Sequence, residues 1–323
     1  MRYFVTGAAG FIGSHYVRRL LRGGFPGSAV DHVTVYDRLT YAGNRANLDP
    51  VADDPRLTFV QGDICDGGLL DEVLPGHDRV VNFAAETHVD RSITGPQDFI
   101  LTNVVGAQSL FDACLRHGIP RTVHIGTDEV YGSIDHGSWT EQSPLLPNSP
   151  YSAAKAAAEL LVRAYHVTYG LNISSTRCSN NYGPYQFPEK LLPLFITNLI
   201  DGSTVPLYGD GLNVRDWLHV DDHCSGVQVV VERGEAGQSY NIGGGRELTN
   251  TEVTQAVLTA MGADWSAVHY VTDRLGHDRR YSVDDTRLRA LGYRPAHTFE
   301  DGLAETVAWY RANEDWWRPL KAG

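Results

Sequence analysis

The stretch "RYFVTGAAGFIGSHYVRRLL", residues 2–21, constrains the fold more than any other part of the chain. A β-branched and aromatic run ends in a glycine-spaced turn, and a helical pattern begins inside that turn. Gly7, Gly10 and Gly13 follow the spacing GxxGxxG, which lets the backbone turn sharply and point N–H groups outward at a helix N-terminus. The same alternation recurs downstream. "HVTVYD", "LTFVQG", "RVVNFAA", "TVHIG" and "NISSTR" are near-continuous apolar runs separated by helical patterns, of which "SAAKAAAELLVRAYHVTYG" is the longest. Uninterrupted apolar strands alternating with helices predict a parallel sheet covered on both faces.

The expected fold class is therefore α/β: a Rossmann-type doubly wound parallel sheet with a smaller C-terminal α/β substrate-binding lobe. Residues 1–180 are expected to form the dinucleotide-binding domain. Residues 181–323 are expected to be mainly the lobe, with some later segments returning to the main sheet. Beyond residue 180 the pattern loosens into turn-rich stretches, "NNYGPYQFPEK" and "PLYGDGLNVRD", and shorter helices, "TNTEVTQAVLTAMG" and "FEDGLAETVAWYRANEDWW". The tryptophans of "EDWW" read as a packing anchor for the last helix. Asp37 closes the second strand, where a carboxylate can hold the adenosine ribose of NAD and repel the 2′-phosphate of NADP. Arg38, beside it, leaves some NADP use open.

The formal net charge of −12 excludes nucleic acid and anionic membrane as natural partners. A phosphorylated substrate must then be held by local positive charge. No apolar run approaches the roughly 20 residues needed to cross a bilayer. The N-terminus passes straight into a strand, without the pattern of a signal peptide, and cytoplasmic residence is expected. Cys65, Cys114, Cys178 and Cys224 lie far apart and read as reduced, mostly buried thiols. In "HVDDH", His219 and His223 are four apart, but no third ligand or HExxH glutamate accompanies them. The two aspartates read better as capping a helix, with His219 just before the cap, and no metal is expected.

Two further stretches carry chemistry. In "SPYSAAKAAAELL", Tyr151 and Lys155 share one helical face. A free tyrosine has a pKa of about 10, and a neighbouring ammonium favours the phenolate and brings it toward working range. In "GTDEVYG", Asp128 and Glu129 stand side by side at the end of an apolar strand. Adjacent carboxylates repel, so their pKa values separate, which suits a reaction needing both an acid and a base. Hydride transfer alone needs no such pair. Elimination next to a ketone does, with a base for the α-proton and an acid for the departing hydroxyl.

With the glycine turn upstream, YxxxK resembles the catalytic pair of the extended short-chain dehydrogenase/reductase superfamily, and Thr127 matches its Ser/Thr position. The blocks "VTGAAGFIGSH", "YDRLTYAGNRANL", "NFAAETHVDRSI", "TDEVYGS", "SPYSAAKAAAE", "RCSNNYGPYQFPEKLLP", "LYGDGLNVRDWLHVDDHC", "YNIGGG" and "GHDRRYSVD" resemble the dTDP-glucose 4,6-dehydratase family, from Met1 to about residue 320. The resemblance implies an NAD-dependent hydro-lyase acting on dTDP-glucose in deoxysugar biosynthesis, through Thr127, Asp128, Glu129, Tyr151 and Lys155. It implies a cofactor site at Gly7, Gly10, Phe11, Ile12, Gly13, Asp37, Leu39, Thr40, Asp63, Ile64, Phe83, Ala84, Ala85, Thr87, Thr102, Tyr151, Lys155, Cys178 and Asn180. For the substrate it implies Thr87, Thr127, Asn180, Glu189, Lys190, Leu191, Pro206, Leu207, Tyr208, Arg215, Asn250, Arg274 and His277. A homodimer is implied too, through the Ala-rich helix after Tyr151 and the one ending "LFDACLRHG". Gly126, Ala8 and Leu275 depart from the family's usual serine, glycine and proline. The competing readings are an NAD-dependent sugar-nucleotide epimerase or decarboxylase, in which Asp128 and Glu129 have no shared task, and a non-catalytic NAD-binding protein, in which Tyr151 and Lys155 have none.

Overall fold

A computed structural model describes residues 1–321. Its strands are β1 (Arg2–Thr6), β2 (His32–Asp37), β3 (Leu57–Gln61), β4 (Arg79–Asn82), β5 (Arg121–Thr127), β6 (Ile173–Cys178), β7 (Asn180–Tyr182), β8 (Val205–Tyr208), β9 (Val214–His219), β10 (Ser239–Ile242), β11 (Glu247–Thr249) and β12 (Val268–Val271). Seven of them form one sheet in the order β10-β6-β5-β4-β1-β2-β3, and every pair in it is parallel. The strand order reverses between β1 and β4, and a doubly wound sheet opens a crevice at the carboxyl ends of its strands at that point.

The apolar runs form strands because both of their faces are covered. Phe4, Val5, Val33, Val35, Val80, Val81 and Val123 are wholly buried, divided between two cores on opposite faces of the sheet. A third core, around Phe195, Val253, Leu303 and Tyr310, belongs to the smaller lobe, which carries the sheets β11-β9-β7 and β12-β8. The chain passes between the two bodies more than once. Helix Val220–Arg233 contributes Val227, Val230 and Val231 to the main core, and β10 lies against β6.

Local chemistry decides several boundaries. Helix Pro150–Tyr169 starts with proline in its first turn and a reciprocal Ser149–Ser152 capping box, and it ends at left-handed Gly170, as such signals require. Helix Val220–Arg233 corrects the expected cap: His219 is the cap, its ring accepting from the Asp221 amide, and Asp221 and Asp222 lie in the first turn. The aspartates complement the helix dipole there, while Asp222 also accepts from the backbone of Ala296 and His297. "FEDGLAETVAWYRANEDWW" forms two helices, Phe299–Ala312 and Glu314–Lys321, because Asn313 turns its side chain back to the Trp309 carbonyl at 2.8 Å. Trp317 is wholly buried, and Trp316 donates to Asn47 at 2.9 Å, tying the chain's end to the main domain. Three cysteines are buried and free, whereas Cys65 is free and exposed.

Candidate active site

The first turn is shaped by contacts that only glycine permits. Gly7 has φ +62, and a Cβ there would sit 2.5 Å from the Ala84 amide nitrogen; at Gly13 a Cβ would sit 2.4 Å from the Gly7 carbonyl oxygen. The β1 turn therefore lies against the β4 turn and against its own helix. Ala8 is buried in the main core. Asp37 is buried and accepts from the amides of Ala9 and Leu39, both at 2.8 Å. Burial pushes its carboxyl up, and those two bonds act against the rise. Arg38 points to Asp63 at 3.1 Å.

A cavity of about 310 Å³ runs along the carboxyl edge of the sheet, from Gly7, Gly10, Phe11, Ile12, Gly13, Asp37 and Thr40 through Asp63, Ile64, Phe83, Ala84, Ala85, Thr87 and Thr102 to Thr127, Tyr151, Lys155, Cys178 and Asn180. Leu39, expected in the cofactor site, does not line it: in a left-handed conformation at φ +60 it reaches only Asp37, through its backbone amide. A second cavity, of about 200 Å³, is walled by Leu191, Pro206, Leu207, Tyr208, Arg215, Asn250, Arg274 and His277. Thr87, Glu129, Asn180, Glu189 and Lys190 line both cavities, whereas Thr127 lines only the first. Residues that sequence reasoning missed are His88, Asp90 and Trp217 in the second cavity and Glu86, Ser179, Asn181, Gln186 and Phe187 in the first. "NNYGPYQFPEK" signalled irregular backbone but not which way its side chains point.

β5 ends in register with β6, Thr127 opposite Cys178, and then turns at once into the short 3₁₀ helix Asp128–Tyr131. Thr127 caps that turn, accepting from the Glu129 amide at 3.3 Å, and lies 3.4 Å from Asp128 Oδ1. At Gly126 an added Cβ would meet the Thr176 carbonyl oxygen at 2.3 Å, so β5 and β6 leave no room for a side chain there. Behind them, Arg177 and Glu159 form a buried ion pair, with Nε 2.7 and 2.9 Å from the two carboxylate oxygens.

The ionisable groups lining the first cavity are shifted in different ways. Burial raises Asp128 well above the carboxylate range, with Glu129 and Asp216 adding to the rise, and its Oδ2 has no partner among the described residues. Burial also raises Glu129, but the cations of Arg274, Arg215 and Lys190 oppose it. These surroundings favour a proton on Asp128 over one on Glu129. Tyr151 is raised well above its ordinary value by burial, then by Glu129 and Cys178. Burial lowers Lys155 to about 8, and its Nζ donates to the Ile125 carbonyl at 2.5 Å. The expected shift of Tyr151 down toward working range is therefore not what this structure shows: burial moves its hydroxyl the other way, and Lys155 is turned to the Ile125 carbonyl. In the second cavity, Arg215 donates to the Asp278 carbonyl at 2.9 Å and lies over the Tyr281 ring at 4.3 Å, while Arg274 Nε is buried without a partner among the described residues. Glu189 is held by Arg91 at 3.3 Å. The glycine cradle, the buried Asp37 and the elongated crevice fit a dinucleotide, and the arginines fit a diphosphate.

Similarity to known proteins agrees with this geometry. Residues 4–306 match the family model described as GDP-mannose 4,6 dehydratase. A dTDP-glucose 4,6-dehydratase of Streptomyces niveus is 58% identical over 323 residues, covering 100% of this chain and 96% of the relative. Another, of Streptomyces griseus, is 60% identical and covers 98% and 96%. The crystal structure of a dTDP-glucose 4,6-dehydratase from Streptomyces venezuelae with NAD bound superposes with a TM-score of 0.98 at 62% identity, covering 99% of this chain and 100% of that one. The chain belongs to the GDP-mannose 4,6 dehydratase family and stands within it among the dTDP-glucose 4,6-dehydratases.

Proposed function

We infer that the protein converts dTDP-glucose to dTDP-4-keto-6-deoxyglucose and water, as an NAD-dependent hydro-lyase of deoxysugar biosynthesis. The observation that carries this reading is the Asp128–Glu129 pair: adjacent, Asp128 lining the first cavity and Glu129 both, with Asp128 raised well above the carboxylate range by burial while nearby cations oppose the rise of Glu129. Gly7, Gly10, Gly13 and Asp37 would hold NAD, which when bound accepts the hydride of sugar C4 and returns it at C6. Arg215, Arg274 and Lys190 would neutralise the sugar diphosphate within an acidic protein.

Tyr151 Oη takes the proton of the 4-hydroxyl, and Thr127 Oγ1 orients that hydroxyl. The ammonium of Lys155, one helical turn from Tyr151, favours the phenolate by its charge. Once C4 is a ketone its neighbour C5 is acidic, and Glu129 removes the C5 proton. Asp128 gives its proton to the C6 hydroxyl, which leaves as water. Glu129 then returns a proton to C5. The proton that Tyr151 took balances the one that Asp128 gave, so the net loss from the sugar is one water. Incubating the enzyme with dTDP-glucose, UDP-glucose and GDP-mannose, and following the alkaline absorbance of the 4-keto product, tests the reaction. Product from the dTDP sugar is expected; epimerised sugar without a 4-keto product contradicts the reading.

The proposal includes a homodimer. Ile100, Leu101 and Val105 on the segment leading into helix Ala107–Arg116, and Leu160, Val167 and Tyr169 on helix Pro150–Tyr169, are large apolar residues left exposed. The two helices pack on one another, so a second copy would cover both. Sedimentation should give a dimer that Leu160→Glu with Val167→Glu splits, and a monomeric parent protein contradicts it. Work on a nucleotide sugar with a nicotinamide cofactor fits the cytoplasm, which cell fractionation tests. Among the described residues no helix is long and apolar enough to cross a membrane.

A further inference from the structure

Between helices Pro96–Ile100 and Ala107–Arg116 the chain winds as a π-helical turn, Leu101–Gly106. Such turns are rare and gather at functional sites. The inner side of this one builds the larger cavity. Thr102 lines that cavity, as do Glu86 and Ile64. Asn103 is buried and grips the backbone of Glu86, accepting from its amide at 2.8 Å and donating to its carbonyl at 3.0 Å. At Gly106 an added Cβ would sit 2.7 Å from Ile64 Cγ1, so the turn also rests directly on that wall residue. Val104 packs in one cluster with Val89, Phe99, Tyr151 and Ala154. A single turn therefore bears on the cavity wall through Thr102, Glu86 and Ile64, and on the surroundings of Tyr151.

The outer side of the same turn is apolar and uncovered, with Leu101 and Val105 exposed. Beside it runs helix Pro150–Tyr169, which packs on the turn. That helix leaves Ala153, Leu160, Ala164 and Val167 exposed and Ala157 half-buried. These positions step by four, three, four and three residues, the heptad spacing by which two helices pair along one seam. None of them carries a charge, so nothing here selects an acidic or a basic partner. A second copy presents the same uncharged seam, and twofold pairing sets it against itself.

The turn thus has the cofactor cavity on one side and the seam between copies on the other. We propose that pairing of two copies across this face holds the π-helical turn in the form that walls the cavity, so that dimer formation and NAD binding strengthen each other. Whichever event comes first orders the turn, and the second then has less left to order. The proposal rests on the homodimer and NAD readings above and adds the coupling between them. Such coupling is reciprocal: NAD must tighten the dimer by the factor by which dimer formation tightens NAD.

The test is a sedimentation dilution series on the full chain, NAD-loaded and NAD-stripped. The dimer dissociation constant should be at least about 5-fold lower with NAD, the small end of usual coupling. Leu160→Ala, run in the same way, weakens pairing and brings dissociation into range where the parent dimer is too tight. Equal dissociation constants with and without NAD overturn the proposal. In the split variant, Leu160→Glu with Val167→Glu, the Kd for NAD should rise by the same factor, and a monomer that binds NAD as the parent does overturns it too. Hydrogen exchange on NAD-loaded protein checks the route: amides 101–106 should exchange faster in the split variant, and unchanged exchange there overturns the part given to this turn. A parent that is monomeric in both series removes the homodimer reading, and one that binds no NAD removes the cofactor reading, each taking the proposal with it.

Discussion

Glu159 ties helix Pro150–Tyr169 to Arg177 of β6 behind Thr127, and separating the two should be costly in an asymmetric way. Both side chains are nearly inaccessible, at 4% and 6% exposure. Removing one member of a buried pair leaves the other charge without compensation, a loss of about 3–5 kcal/mol. The two single variants differ in what remains. In Arg177→Met, the Glu159 carboxylate keeps the hydroxyls of Ser175 at 3.2 Å and Ser239 at 2.7 Å, and a carboxyl can also take up a proton. In Glu159→Leu, the guanidinium keeps the Tyr131 hydroxyl and the Glu141 carbonyl but cannot shed its charge. Glu159→Leu should therefore sit at the upper end of that range, about 5 kcal/mol, and Arg177→Met at or below about 3 kcal/mol. The double variant should recover much of the loss, because a buried pair exchanged for apolar residues is often close to neutral. Urea unfolding at fixed, saturating NAD gives these differences as midpoint shifts at constant slope. Single variants costing under about 1 kcal/mol, or Arg177→Met costing more than Glu159→Leu, would refute the reasoning.

Other outcomes are expected. Asp37→Ala should weaken NAD binding by about 1.5–3 kcal/mol, the worth of a hydrogen bond to a charged group, and narrow the gap to NADP; calorimetric titration showing unchanged affinity would remove Asp37 from the ribose. Because Lys155 is lowered to about 8, turnover should fall as pH rises through that value and the ammonium is lost, and a pH–rate profile flat to pH ~10 would contradict its role. The same shift has the opposite sign for stability: between about 8 and the ordinary value of 10.5 the unfolded chain binds the extra proton, so the cost of burying this ammonium fades as pH rises.

Much of this site is legible in the sequence, for local reasons. The glycine turn, the YxxxK helix face and the carboxylate pair each lie within one short stretch whose backbone form follows from its own residues. β-branched runs report burial on both faces, so the parallel sheet can be read from pattern. What sequence conceals is contact between distant stretches. His88 and Asp90, at the start of helix Val89–Thr94, meet Trp217 of β9 in the smaller cavity, and spacing carries no sign of it. The partner of Lys155 is a carbonyl on β5, and carbonyls are invisible in composition. His219 as a cap, and the break at Asn313, turn on single side-chain bonds to backbone that compete with the periodic pattern. Gln186 lines the larger cavity beside Tyr185, a residue left-handed at φ +69 whose ring packs on Trp309, more than a hundred residues away.

The division of labour between Asp128 and Glu129 is the central claim, and proton exchange at C5 tests it most directly. Asp128→Asn and Glu129→Gln, each loaded with NAD, are incubated with dTDP-glucose in deuterated water, and the recovered sugar is examined for deuterium at C5. Both variants keep Tyr151 and Lys155, so oxidation at C4 remains available to each, while net dehydration should drop by about 10²-fold or more. Asp128→Asn should still incorporate deuterium at C5, because Glu129 is intact, and Glu129→Gln should incorporate little or none. Equal incorporation in both variants, or incorporation confined to Glu129→Gln, would contradict the assignment of base to Glu129 and acid to Asp128.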